Sequence, residues 1–205
     1  MSSVVSKEKR SEHSIGLING YFAYLVWGGV ILYWPYLAPA KPLEILAHRV
    51  LWSLLFVAAV LIYQKRIVSL RVVLKNVRQM KLLAVASVLI GINWGLFIWA
   101  SMNDHVLDSS LGYYITPLLN VALGVFFFKE KLRRMQWLAI GIAAIAVMFI
   151  TIAMGVVPWV ALSLSTSFTM YGYVKKLANV QALESLMIET LILTPVAIAY
   201  LVWLI

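Results

Sequence analysis

Tyr113, Pro117, Asn120 and Gly124 stand at i, i+4, i+7 and i+11, one continuous face of a helix. Pro117 removes a backbone donor and frees the carbonyl of Tyr113 four residues earlier. Asn120 adds an amide with two donors and an acceptor. In an apolar helix such groups are tolerated only inside protein or beside a water-filled cavity. This face is therefore expected to look inward, either lining a cavity or bonded to a neighbouring helix. Asn93 and Trp94 bring a second amide and a stacking wall between Gly91 and Gly95, small residues that let helices approach closely. Ser163, Ser167 and Tyr171, at i, i+4 and i+8, form a hydroxyl stripe, although Ser can instead bond its own i−4 carbonyl. Trp27 lies beside the helix-weakening pair Gly28 and Gly29, which suits close packing or a hinge. The chemistry these types share is recognition by stacking and hydrogen bonding, with Trp27, Asn93, Trp94, Tyr113, Pro117, Asn120, Ser167 and Tyr171 as candidate substrate contacts.

Two ionisable residues stand apart. Glu189 is the one acid well inside an apolar run, where a carboxyl either serves a pathway or is fully hydrogen-bonded. Arg49 lies in the first turns of another run, with Glu44 and His48. Both are candidate ion-coupling groups. They are expected to sit toward opposite membrane faces, out of reach of each other, so Asp104 or Asp108 is the expected partner of Arg49. Glu130, between Lys129 and Lys131, is expected to pair with loop bases. His13, His48 and His105 show no ligand spacing and cysteine is absent, so no metal or cofactor is expected. Neither a phosphate-binding GxxxxGK[ST] loop nor a nucleophile–base pattern is visible, which argues against an ATPase and against an enzyme.

The elements that must carry these residues follow from hydropathy. Apolar residues make up 63% of the 205 and charged residues 12%. Between Met135 and Val174 no Asp, Glu, Lys, Arg or His occurs, a stretch divided only by Gly155 and Pro158. A bilayer crossing needs about 20 apolar residues, so this reads as two membrane helices joined by a tight turn. Seven spans are predicted: Ile15–Tyr36, Glu44–Tyr63, Leu82–Asn103, Ser109–Phe128, Met135–Met154, Trp159–Val174 and Ser185–Ile205. The first is too long for a cleaved leader and is expected to be retained. Every Lys and Arg except Lys41 and Arg49 falls on one side of the membrane in this reading. The positive-inside rule places that side, with the N-terminus, in the cytoplasm and the C-terminus outside. The net charge of +9 arises from these clusters between apolar runs, so nucleic acid is not an expected partner. Ile205 closes an apolar run without a polar tail, as expected of a fragment of a longer protein.

Two stretches look alike. Tyr21–Tyr33 aligns with Ser165–Lys176 on Trp27-Gly28 and Tyr171-Gly172, and Pro42–Trp52 aligns with Ala182–Ile192 on Leu-Glu pairs. The copies would run in opposite senses, and inverted repeats place a binding site near the midplane between them. Glu44–Ser53, Gly91–Ala100 and Ser110–Asn120, together with Lys129-Glu130-Lys131, Arg134–Ala139 and Ile188-Glu189-Thr190, resemble the EamA-domain permeases of the drug/metabolite transporter superfamily, and within it the RarD type. The resemblance implies an all-α, polytopic helical membrane protein. Its ten spans would form two inverted five-span repeats, of which this chain holds seven. Residues 1–14 would then be a cytoplasmic N-terminal segment, 15–154 the first five-helix repeat and 155–205 the first two helices of an incomplete second repeat. It implies a plasma-membrane secondary transporter of a small metabolite or drug-like solute, with an association with chloramphenicol resistance as substrate hint. The three missing spans keep a non-transporting membrane fragment or subunit as the alternative. The partners implied are a small solute and the bilayer, and a second copy of the chain is the one protein partner the reading allows for.

Overall fold

The structure, a computed structural model, describes residues 2–37, 39–155 and 157–204, without the side chains of residues 2–13, 31, 32, 34, 35, 128 and 154. His13 and the last residue of the expected seventh span, Ile205, lie outside that description. The fold among the described residues is all-α. Helices α1 (Ser2–Tyr33), α2 (Pro42–Tyr63), α3 (Ile67–Lys75), α4 (Val77–Met102), α5 (Val106–Phe128), α6 (Arg134–Met154), α7 (Trp159–Ala178) and α8 (Ala182–Leu204) follow one another. Five of them, α2, α4, α5, α6 and α8, are long and apolar enough to cross a membrane. The chain is a polytopic membrane protein. Helix α1 and the turn after it, to Pro39, form one compact unit, and Ala40–Ile205 forms another; α1 is a single helix carrying Trp27, Gly28 and Gly29 in its C-terminal half.

Local chemistry sets the helix ends. Pro42 stands in the first turn of α2, and the Lys41 backbone N–H donates to Glu44 Oε2 at 3.4 Å. Helix α4 starts at Asn76, whose Oδ1 accepts the Gln79 N–H at 3.2 Å. Helix α6 stops at Gly155, which takes a left-handed φ of 66° and returns its N–H to the Ile152 carbonyl. A side chain there would be strained, so glycine ends the helix where the sequence reading expected a turn. Asn179 ends α7 in the same left-handed region, at φ 49°.

Within the larger unit α7 packs between α4 and α5, α8 packs on α2 and α4, and α6 packs chiefly on α5, with Val147 against the cluster of Leu111, Ile115 and Ala161. Helix α7, the expected sixth span, is less apolar than the five long apolar helices because it carries five Ser and Thr residues and has Lys175 and Lys176 in its last turn. Ser165 and Thr169 are buried in it, and Ser165 satisfies its own hydroxyl on the Ala161 carbonyl at 2.7 Å. Close approach to α5 rests on Gly112: a Cβ there would lie 3.1 Å from the Ala161 carbonyl oxygen. Gly91 and Gly95 open α4 toward Leu193 of α8 and Leu46 of α2, as small residues at that spacing should. The short helix α3 lies between the expected second and third spans, where hydropathy marks no span. Its Val73 and Leu70 sit on Leu83, Ala178 and Ile188 and tie the connection to α4, α7 and α8.

Candidate functional site

Helices α4, α7 and α8 bring polar groups together inside an apolar bundle. Asn93 on α4 is buried, and its Nδ2 donates to the Leu164 carbonyl and to Ser167 Oγ, both at 2.9 Å on α7. Ser167 also donates to its own Ser163 carbonyl at 2.7 Å, so the stripe hydroxyl is self-satisfied and a cross-helix acceptor at once. One residue on, Trp94 receives Arg49 of α2: the guanidinium carbon lies 4.3 Å from the ring centroid, within cation–π range. Phe97, a turn further along α4, meets Tyr113 of α5 edge-to-face at 6.1 Å. Asp108, one of the two expected partners of Arg49, pairs instead with His105, with Nδ1 to Oδ2 at 2.7 Å.

A second cluster closes the α7–α8 hairpin. Glu189 is fully buried, and its Oε1 accepts from Lys175 Nζ at 2.8 Å and from Ser185 Oγ at 2.6 Å. The Tyr171 hydroxyl donates to Oε2 at 2.9 Å, and Lys175 also donates to Ser185. An ionised carboxylate with three donors, one of them cationic, can be held away from water. Toward the chain turn, Glu184 is also fully buried; its Oε2 takes Arg66 Nη2 at 2.8 Å, while Arg66 also reaches Gln181. Glu130 pairs at the surface with Lys176 at 3.1 Å.

The structure thus joins Asn93 to Ser167, Trp94 to Arg49 and Tyr171 to Glu189. It does not join Asn93 to the α5 face. Tyr113, Pro117 and Asn120 are exposed, and the side of α5 that packs on α7 carries Leu111, Gly112 and Ile115 instead. Gly124, at the end of that face, lies against the Glu130 carboxylate. Trp27 belongs to the separate unit of α1. Sequence reasoning missed Lys175, Ser185, Glu184 and Arg66 as site residues. The available signal was the short connection at Asn179, which brings the end of α7 near the start of α8, where Lys175 reaches Ser185 and Glu189.

No metal-binding group of acidic, His or Cys side chains occurs among the described residues. The sequence profile described as the EamA-like transporter family matches residues 14–152. The chain is 45% identical over 194 residues to a protein RarD of Streptomyces exfoliatus, covering 95% of this chain and 62% of that protein. It is 43% identical to an uncharacterized transporter of Vibrio cholerae, over 92% of this chain and 63% of that protein. A Pseudomonas aeruginosa protein named chloramphenicol-sensitive protein RarD is 31% identical over 82% of this chain and 58% of its own length. The chain thus spans a little under two thirds of the length of these relatives. No solved structure matches it.

Proposed function

For a chain that belongs to the EamA-like transporter family, of transporters rather than enzymes, we propose secondary transport of a small metabolite or drug-like solute across the plasma membrane, with the N-terminus in the cytoplasm. The observation that carries the reading is the fully buried Glu189, inside a span and surrounded by Lys175, Ser185 and Tyr171. Ionisable groups within a membrane bundle are costly and mark pathways by default. In this reading Trp94, Asn93, Ser167 and Tyr171 line the solute path on the α4–α7–α8 side, with Arg49 as the cation beside Trp94. Tyr113, Pro117 and Asn120 line it along α5, because an unshielded amide is tolerated in a span only beside water or protein. Glu189 carries the coupling proton, with Lys175 holding its charge between transfers. The likeness of Tyr21–Tyr33 to Ser165–Lys176 and of Pro42–Trp52 to Ala182–Ile192 supports inverted repeats, which rock about a central site in alternating access.

Counter-flow of labelled solutes in proteoliposomes tests this, with the full-length Vibrio relative reconstituted in parallel. Chloramphenicol is the first solute to try, because of the Pseudomonas relative's name. Uptake that depends on the chain supports transport; no counter-flow of any solute where the full-length relative is active would assign the chain a non-transporting role. Glu189→Gln should abolish flux driven by a pH gradient and leave energy-independent exchange largely intact, since the amide mimics the protonated acid. Unchanged gradient-driven flux would make Glu189 structural.

A further inference from the structure

The corner where α3 turns into α4 is strongly basic and carries no counter-charge of its own. Lys65, Arg71, Lys75, Arg78 and Lys81 lie in this short stretch, four of them with exposed positions on α3 and the first turns of α4. No acid occurs in the sequence between Glu44 and Asp104. Arg66 is engaged by Glu184, but none of these five is in an ion pair among the described residues. Helix α3 is too short to cross a bilayer. While Val73 and Leu70 face the core, Val68 and Val72 remain 70% and 65% exposed beside Arg71 and Lys75. Exposed apolar and basic side chains on one short helix are the composition of an element lying at headgroup level.

Beside it is a cavity of about 520 Å³ lined by Val77, Arg78, Lys81, Leu82 and Leu177. Arg78 and Lys81 stand three residues apart on α4 and so project from neighbouring positions of one helix surface. Two cations at the rim of an otherwise apolar cleft match a phosphate with hydrocarbon attached better than they match a free anion. We propose that this cleft binds one anionic phospholipid, with its phosphate held by Arg78 and Lys81 and its acyl chains against Val77, Leu82 and Leu177. The site is independent of the transport reading, since it needs only that α2 and α4 cross the membrane on either side of α3. Its role would be to anchor the α2–α4 connection, which packs on α8 through α3.

Thermal unfolding of the purified chain in detergent tests this, with phosphatidylglycerol, phosphatidylcholine of the same acyl chains, and inorganic phosphate as probes. Phosphatidylglycerol should raise Tm, and the other two should leave it unchanged. The double variant Arg78→Gln/Lys81→Gln should need at least about tenfold more phosphatidylglycerol for the same rise. Lys129→Gln/Lys131→Gln, which removes the same charge from the α5–α6 loop, should respond as wild type. Native mass spectrometry after delipidation should show phosphatidylglycerol retained by wild type and the loop variant and lost from the double variant. An unaltered response in Arg78→Gln/Lys81→Gln, an equal loss in the loop variant, or a rise produced by inorganic phosphate alone would each overturn the lipid site.

Discussion

Glu189 and Lys175 make the sharpest case at the scale of single residues. The carboxylate is fully buried and the lysine mostly so, which makes each depend on the other. Removing one partner of such a pair costs about 3–5 kcal/mol, because the other is left charged and unpaired. Lys175→Met should therefore lower the thermal unfolding midpoint strongly in detergent, and the double variant Lys175→Met/Glu189→Leu should recover most of the loss. If the double variant is no more stable than the single, the pair is not the source of the cost. Asn93 is a second test. Asn93→Leu removes two hydrogen bonds to α7, at about 1 kcal/mol net each, while the Leu164 carbonyl keeps the Ser167 hydroxyl as a donor. A drop in unfolding free energy of roughly 1–3 kcal/mol is expected; no measurable change would show that the bonds to α7 contribute nothing. Glu189 was legible in the sequence because an acid inside an apolar run is conspicuous. Lys175 was not, because a lysine after an apolar run reads equally well as a loop base.

At the scale of elements, the α5–α7 contact depends on a residue with no side chain. Gly112 lets the α5 backbone come against Ala161 and Leu164. Gly112→Leu should force the two helices apart and cost about 1–3 kcal/mol as overpacking, while Gly141→Leu on α6, where nothing lies within 4 Å, should be close to neutral. Equal effects at both positions would contradict the packing described. The ties at the end of the bundle near the α7–α8 turn also have unequal weight. Arg66 to the buried Glu184 is a structural latch between the α2–α3 connection and α8. Glu130 to Lys176 is exposed on both partners and should contribute little, less than about 1 kcal/mol. Glu184→Gln should consequently lower Tm well beyond Glu130→Gln, and a reversed order would place the latch at the surface pair.

For the whole molecule the open quantity is orientation. The chain contains no cysteine, so single cysteines report on topology without background. Cysteines at positions 71 and 78 should be protected from an impermeant thiol reagent added outside intact cells and labelled after permeabilisation. A cysteine at position 104 should be labelled from outside directly. The opposite pattern would invert the molecule, since the alternation of charged connections leaves no intermediate arrangement.

Helix type and the approximate limits of the long apolar helices were available from the sequence alone, because burial in a bilayer demands long apolar runs with internally satisfied backbones; the short α3 was not, because nine residues with mixed basic and apolar side chains give no span signal. Gly155 with Pro158 marked a turn for the same local reason that glycine tolerates a left-handed φ. Family membership was legible through residues such as Asn93, Pro117 and Glu189. The neighbours of those residues were not. That α7 lies between α4 and α5, that Arg49 rests on Trp94, and that Lys175 turns inward to Glu189 while Lys176 stays out, are outcomes of helix packing. Hydropathy is a property of one segment at a time, and in membrane helices it is nearly uniform around the circumference. Which face meets which neighbour is decided by small residues, shape and the pairing of a few polar groups across the bundle, and only the tertiary structure contains those relations.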